Sequence, residues 1–233
     1  MVASQAAGRV IELGFDALYL LSLWLLVIGQ NRRLRSLEAQ ARRGARPLVL
    51  AFSLLALGDS AHVGFRLLGL AHGPPLQDGL IGYGALATAI TVTLCDLLLV
   101  QAHQRLSPGR WGVMPRLLLA LALVRLGLLA LPQNQWAAIV PPQPWSLLRN
   151  LPLLLLTVGL GWLYLRTPGE SQRWQRRIGV LLLVSALCHL PVVLWIQEQP
   201  LLGLLMIPKS LAYLAMGWVV YRRLASMAPI SSP

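Results

Sequence analysis

The sequence predicts an all-α polytopic membrane protein, a seven-transmembrane helix bundle with its N-terminus outside and its C-terminus cytoplasmic. Three observations lead there. Of the 233 residues 56% are hydrophobic and 12% charged, with a mean hydropathy of +0.64, which no ordinary soluble domain carries. Seven apolar runs each approach the roughly 20 residues that a helix rising about 1.5 Å per residue needs to cross a hydrocarbon core. Fifteen of the twenty basic residues fall in alternate loops and the C-terminal tail. A helical bundle also pairs every backbone polar group internally, which irregular chain in lipid cannot do. The whole of 1–233 is expected to form one membrane domain.

The first span, 10–29, is expected to remain in the protein: no basic segment precedes it, and Glu12 and Asp16 interrupt its apolar run. Glu12, Asp16 and Tyr19 recur at helical spacing and share a face. The following loop, 30–46, holds Arg32, Arg33, Arg35, Arg42, Arg43 and Arg46. In the second span, 47–70, Asp59, His62 and Arg66 fall at i, i+3 and i+7, again one face. The third span, 80–101, opens with Gly82-YGALATAITVT, small residues that permit close helix approach and interhelical hydrogen bonds, so it is expected at the centre of the bundle. Loop 102–116 adds Arg105, Arg110 and Arg116. The fourth span, 115–132, is the shortest and has only Arg125 to organise polar packing, so it is expected at the edge, facing lipid.

The fifth span, 146–165, carries Arg149 and Asn150 near its outer end, and the next loop holds Arg166, Arg173, Arg176 and Arg177. In the sixth, 178–197, Ser185 lies one turn below His189. In the seventh, 200–221, Lys209 stands inside an apolar run with Tyr213 one turn inward, and Pro208 removes an amide donor beside it. The tail adds Arg222 and Arg223. The alternate loops, around 71–79, 133–145 and 198–199, contain neither Lys nor Arg, and the positive-inside rule then sets the orientation. The net charge of +12 therefore indicates contact with anionic lipid headgroups at the cytoplasmic loops and not nucleic acid. Cys95 and Cys188 lie within spans and give no disulfide framework. Trp136 and Trp145 suit an interfacial belt.

Counted from the cytoplasmic end of each span, Asp16, Asp59, His189 and Lys209 lie about 11 to 13 residues in, roughly 16–20 Å deep. Arg125 is somewhat lower, and His62, Arg66, Arg149 and Asn150 lie further out. Ionisable residues at such depth are costly and mark functional sites by default. The candidate ligand-binding set is Asp16, Asp59, His62, Arg66, Arg125, Arg149, His189, Lys209 and Tyr213. Two chemistries fit it. An outward-opening cavity with this excess of cations would bind, sense or transport an anionic small molecule or lipid headgroup. Alternatively Asp59 with His62 or His189 would act as acid and base on a lipid, with Lys209 stabilising developing negative charge. Asp59 and Lys209 are expected to meet as a pair, and Asp96, nearer the inner face, either to pair with a basic loop residue or to interrupt a proton route. No phosphate loop or nucleophile elbow occurs, and the residues specify no cofactor.

Leu57-GDSAHVGFR and Met206-IPKSLAY resemble the paired motifs GD-x-x-H-x-x-x-R and PK-[ST]-x-A-Y of a seven-span bacterial membrane protein family. That resemblance implies the seven-span layout and a cell-membrane location, the inner membrane in a prokaryote, and carries no activity with it. A Lys in the last of seven spans is also similar to the rhodopsins, which implies a retinal Schiff base on Lys209 balanced by Asp59, although Leu187, Leu190 and Leu194 stand where aromatics would flank the ring. Asp59, Ser60 and His62 resemble the early-helix element of the intramembrane metal hydrolases related to alkaline ceramidases and adiponectin receptors, which implies a zinc-activated water with His189 as a further ligand. Their paired His on the last helix is absent here. Phe52-SLLALGDS is similar to the FS-x-x-GD element of lysoplasmalogenases, with extra residues between Ser and Gly-Asp.

Overall fold

The structure, a computed structural model, describes residues 2–72, 76–107, 112–138, 140–169 and 172–227, with side chains placed from residue 14 onward except at 70 and 76–78. It is helical throughout: α1 (Val2–Arg35), α2 (Ala39–His72), α3 (Leu76–Leu106), α4 (Val113–Leu129), α5 (Trp145–Leu165), α6 (Arg173–Trp195) and α7 (Met206–Ala225), with short 3₁₀ turns at Pro132–Asn134 and Pro200–Leu205. The first three helices outrun their apolar segments because the flanking Arg, Gln and Ala are good helix formers. Among the described residues six helical segments are long and apolar enough to cross a membrane; α4, with 17 residues, falls just short by the same measure.

Each helix packs chiefly on its neighbours in sequence, and contact between α1 and α7 closes the circuit. Two contacts cross that circuit, α3 on α5 and α7 on α2, so α3 shares the interior with α7 and is not the single central helix expected. The small residues of α3 work sideways, against α2. A Cβ on Gly58 would stand 1.8 Å from Thr91 Oγ1, and one on Gly84 would stand 3.1 Å from the His62 Cα. Thr88 Oγ1 donates to the Gly58 carbonyl at 3.0 Å across the same seam. Because α3 and α5 touch behind it, α4 takes the edge, with Leu117, Leu119, Leu123 and Val124 exposed.

The basic ends gather at one end of the bundle. Arg105 donates to the Arg43 carbonyl, Ser107 to Gln175, and His103 Nε2 meets Thr167 Oγ1, joining three loops. Directly inside this end lies the apolar core: Phe52 and Leu55, Leu99, Leu156 and Tyr164, Ile178 and Leu182, Met216 and Val220. Elsewhere the helices present leucine outward, as at Leu18 (67% exposed), Leu25 (61%) and Leu187 (70%). Apolar surface of this extent around a bundle belongs against lipid, and the six apolar helices suggest a multi-pass membrane protein.

Candidate functional site

Immediately beyond the apolar core, on the side away from the basic loops, the helices carry the polar belt. Asp59 follows the buried Leu55 and Ala56 of α2 by one turn, and Tyr19 precedes the buried Leu23 of α1 by one turn. Their packing brings Tyr19 Oη to Asp59 Oδ2, to which it donates at 2.7 Å. The neighbouring Ser60 accepts from Trp24 Nε1 at 2.9 Å and donates to the Ala56 carbonyl at 2.7 Å. Ser60 is thus committed to holding α1 on α2, and the Asp-Ser-His element of the metal hydrolases does not converge here. Among the described residues, no three His, Cys, Asp or Glu side chains group as metal ligands.

Lys209 enters from α7. Its run is not a single α-helix: the 3₁₀ turn Pro200–Leu205 precedes α7, so Lys209 and Pro208 occupy the first α-turn. There the missing amide of Pro208 disturbs little, because the opening amides of a helix have no partner within it. At about 2 Å per 3₁₀ residue and 1.5 Å per α residue, Lys209 still lies roughly 17 Å from Pro200, well inside the bundle. The expected Asp59–Lys209 contact is not made directly. The two are close enough for their charges to act on each other, but the described contact of the ammonium is with the Tyr213 ring, Nζ lying 5.9 Å from its centroid. Beside Lys209, both ring nitrogens of His189 are buried with no hydrogen-bond partner. Tyr213 is itself buried, next to Ser185.

Asp96 does not form the loop pairing that was one of its two expected roles. It is fully buried in α3, accepts from Thr157 Oγ1 of α5 at 3.2 Å through Oδ2, and has Oδ1 unpaired, with no loop arginine at hand. The cation nearest in charge is Arg125, which α4 sends inward. Arg125 is 2% exposed: Nη1 donates to the Ala89 carbonyl at 3.1 Å and to Thr93 Oγ1, and Nε donates to the Arg149 carbonyl at 3.3 Å. It staples α4 to α3 and α5. Arg149 serves the far end of α4. Its guanidinium lies 4.1 Å from the Trp136 ring centroid and donates to Asn134 Oδ1 at 3.2 Å, while Asn134 Nδ2 donates to the Leu128 and Leu131 carbonyls at 2.6 and 2.9 Å. Trp136 Nε1 caps Leu129 in the same way. The Leu128 and Leu129 carbonyls belong to the last turn of α4, where a helix leaves carbonyls without partners of its own.

Arg66 Nη1 lies 3.5 Å from Asp16 Oδ2, joining α2 to α1 further out, with both side chains partly exposed. His62 sits on the α2 face that packs on α3 at Gly84. Glu12 falls outside the described side chains, and Asn150 bonds within its own helix to the Ser146 carbonyl at 2.8 Å. The structure therefore gathers Tyr19, Asp59, Lys209, Tyr213, Ser185 and His189 toward one region, gives Arg125 and Arg149 to α4, and sets Asp16 with Arg66 at the rim. Thr157 and Asn134 had no signal in sequence, and Thr93 was marked only as part of a run suited to interhelical hydrogen bonds, since a Thr or Asn in an apolar context reads the same whether or not a charge faces it. Two concavities lie apart from the belt: one of about 400 Å³ at the basic end among Arg173, Arg176, Arg177, Val180, Leu181 and Val219, the other of about 210 Å³ between Gln143, Leu147 and the 193–198 segment. Comparison with known family models, curated proteins and solved structures gives no match.

Proposed function

We propose that this chain is a seven-span membrane protein, N-terminus outside and C-terminus in the cytoplasm, whose polar belt binds an anionic group of a small molecule or lipid headgroup arriving from the outer side. The observation that carries this reading is the pair Lys209 and His189: an ammonium with no carboxylate in direct contact, beside an imidazole whose two buried nitrogens have no partner. An anion between them would give both a partner, and buried polar groups left unbonded cost about 1–3 kcal/mol each. Asp59 is already engaged by Tyr19 and Arg125 by α3 and α5, so neither competes strongly for the site. The packed core beneath the belt supports binding or sensing over passage through the bundle. Arg66, paired with Asp16 at the rim, would guide an anion inward.

The test is thermal unfolding of the protein in a neutral detergent and phosphatidylcholine mixture, titrated with carboxylates, phosphate, sulfate and soluble short-chain phosphatidylglycerol. An anion present at a hundred times its Kd should stabilise the protein by about 2.7 kcal/mol. The effect should vanish in Lys209→Met, weaken in His189→Ala and persist in Arg32→Gln. Stabilisation that survives Lys209→Met, or none across the panel, would overturn the reading.

A further inference from the structure

Asp96 of α3, set between the core residues Cys95 and Leu99, has no part in the anion site itself. We infer that Asp96 is a proton-binding site coupled to that site: each anion bound at Lys209 and His189 enters with one proton, which comes from the outer solution and ends on Asp96 Oδ1. The coupling rests on the anion reading above. Hydrogen bonding supplies the first argument. Asp96 is fully buried, its Oδ2 accepts from the Thr157 hydroxyl at 3.2 Å, and its Oδ1 has no partner. A carboxylate has two oxygens to satisfy and nothing to donate, so one neutral hydroxyl leaves most of its demand unmet in a site closed to water. Arg125 does not fill the gap, because its Nη1 and Nε donate to the Ala89 and Arg149 carbonyls and to Thr93. A carboxylic acid tolerates this setting far better than its anion does. What favours the ionised form is the charge of Arg125 and Lys209 nearby.

The second argument is charge balance. Lys209 and Arg125 offset Asp59 and Asp96, and a bound anion would leave this interior one negative charge in excess, which is expensive at low dielectric. Protonating one carboxylate restores neutrality. Asp59 is the worse choice, being only half-buried and accepting from the Tyr19 phenol at 2.7 Å. His189 can serve the anion through a ring N–H while neutral, and protonating it would set a second cation beside Lys209. The groups around Asp96 also join it to the anion site. α4 brings Arg125, α5 brings Thr157 and Tyr164, α7 brings Lys209 and Tyr213, and Cys95 adjoins it on α3. Asp59 of α2 acts on the same Cys95 and Tyr213. Tyr213 thus stands between the two sites, its ring 5.9 Å from Lys209 Nζ, and its hydroxyl lies next to Ser185.

Isothermal titration of sulfate and of short-chain phosphatidylglycerol into the full chain, in detergent with phosphatidylcholine, tests this. Neither probe changes protonation near neutral pH, and repeating each titration in buffers of different ionisation enthalpy counts the protons taken up by the protein. The wild type should take up about one proton per anion, and Kd should rise about tenfold per pH unit where that proton is gained. In Asp96→Asn the amide stands for the neutral acid and can still accept from Thr157, so binding should show neither proton uptake nor pH dependence. Thr157→Val removes the hydroxyl that serves the ionised form and should move the loss of affinity to higher pH. Infrared difference spectra of the wild type should gain a protonated-carboxyl C=O band on anion addition, absent from Asp96→Asn. Wild-type binding without proton uptake, or uptake that survives Asp96→Asn, would overturn the coupling and leave the anion site standing. Binding of neither probe would overturn the anion site and the coupling with it.

Discussion

Tyr19 and Lys209 both approach the Asp59 carboxyl, and the distances decide between them. The phenol donates at 2.7 Å; the ammonium acts only across a gap. A buried hydrogen bond to a carboxyl is worth about 1–3 kcal/mol, most of it felt as the penalty of leaving one partner unbonded. Double-mutant cycles in detergent should therefore give Tyr19→Phe with Asp59→Asn a coupling of about 1–3 kcal/mol, larger than that of Lys209→Met with Asp59→Asn. A larger coupling in the Lys209 cycle would mean that Asp59 already neutralises Lys209, and the anion site would lose its basis. At this scale the sequence was informative about which residues matter and poor on their partners. Lys209, Asp59 and His189 stand out because charge or imidazole in an apolar run is costly. The partner of each depends on helix rotation, which one-dimensional spacing does not contain, and so Tyr19 was placed on the right face without its bond. Arg149 shows the same limit: its ionisable character was visible, and its service to the α4 terminus depends on Asn134 folding back across a loop.

Helices approach closely where glycines face each other. Gly161 of α5 and Gly179 of α6 meet back to back: a Cβ on Gly179 would lie 2.7 Å from the Gly161 carbonyl oxygen and 2.9 Å from the Leu165 amide nitrogen. Both obstacles are backbone, which cannot rotate aside. Gly179→Ala should force α5 from α6 and destabilise the protein by about 1–3 kcal/mol. Gly127 in α4 has nothing within 4 Å of the same position, so Gly127→Ala should be neutral or stabilise by up to about 1 kcal/mol through helix propensity. Equal effects of the two substitutions, measured as unfolding in one detergent, would remove the glycine contact as the determinant of the α5–α6 seam. The elements themselves were legible because the apolar runs announce them; the 3₁₀ turn before α7 was not, since Pro200–Leu205 and the α-helix after it are equally apolar. Nor was the sideways role of α3, because small residues signal close approach without saying to which neighbour.

For the whole molecule the open quantity is the number of crossings, and α4 decides it. Its 17 residues reach about 26 Å, short of an average hydrocarbon core but within the range of crossing helices. Connectivity argues that it crosses. α3 ends among the basic loops, where Ser107 bonds to Gln175, while the segment after α4 lies at the other end, where the Trp136 carbonyl oxygen stands 1.5 Å from where a Cβ on Gly82 near the start of α3 would be. The chain between them has to traverse the height of the bundle, and α4 is the element that does so, held by Arg125 at mid-course. With the basic end in the cytoplasm, reporters inserted after Ser107, after Gly169 and after Met227 should read cytoplasmic, and one after Gln135 external. A six-crossing chain with α4 lying along one surface would instead put a reporter after Ser107 on the same side as the one after Gln135, because α4 is the helix between them. Agreement of those two reporters would therefore reject the seven-span topology. A reversal of all four would keep the bundle and reject the orientation drawn from its arginines.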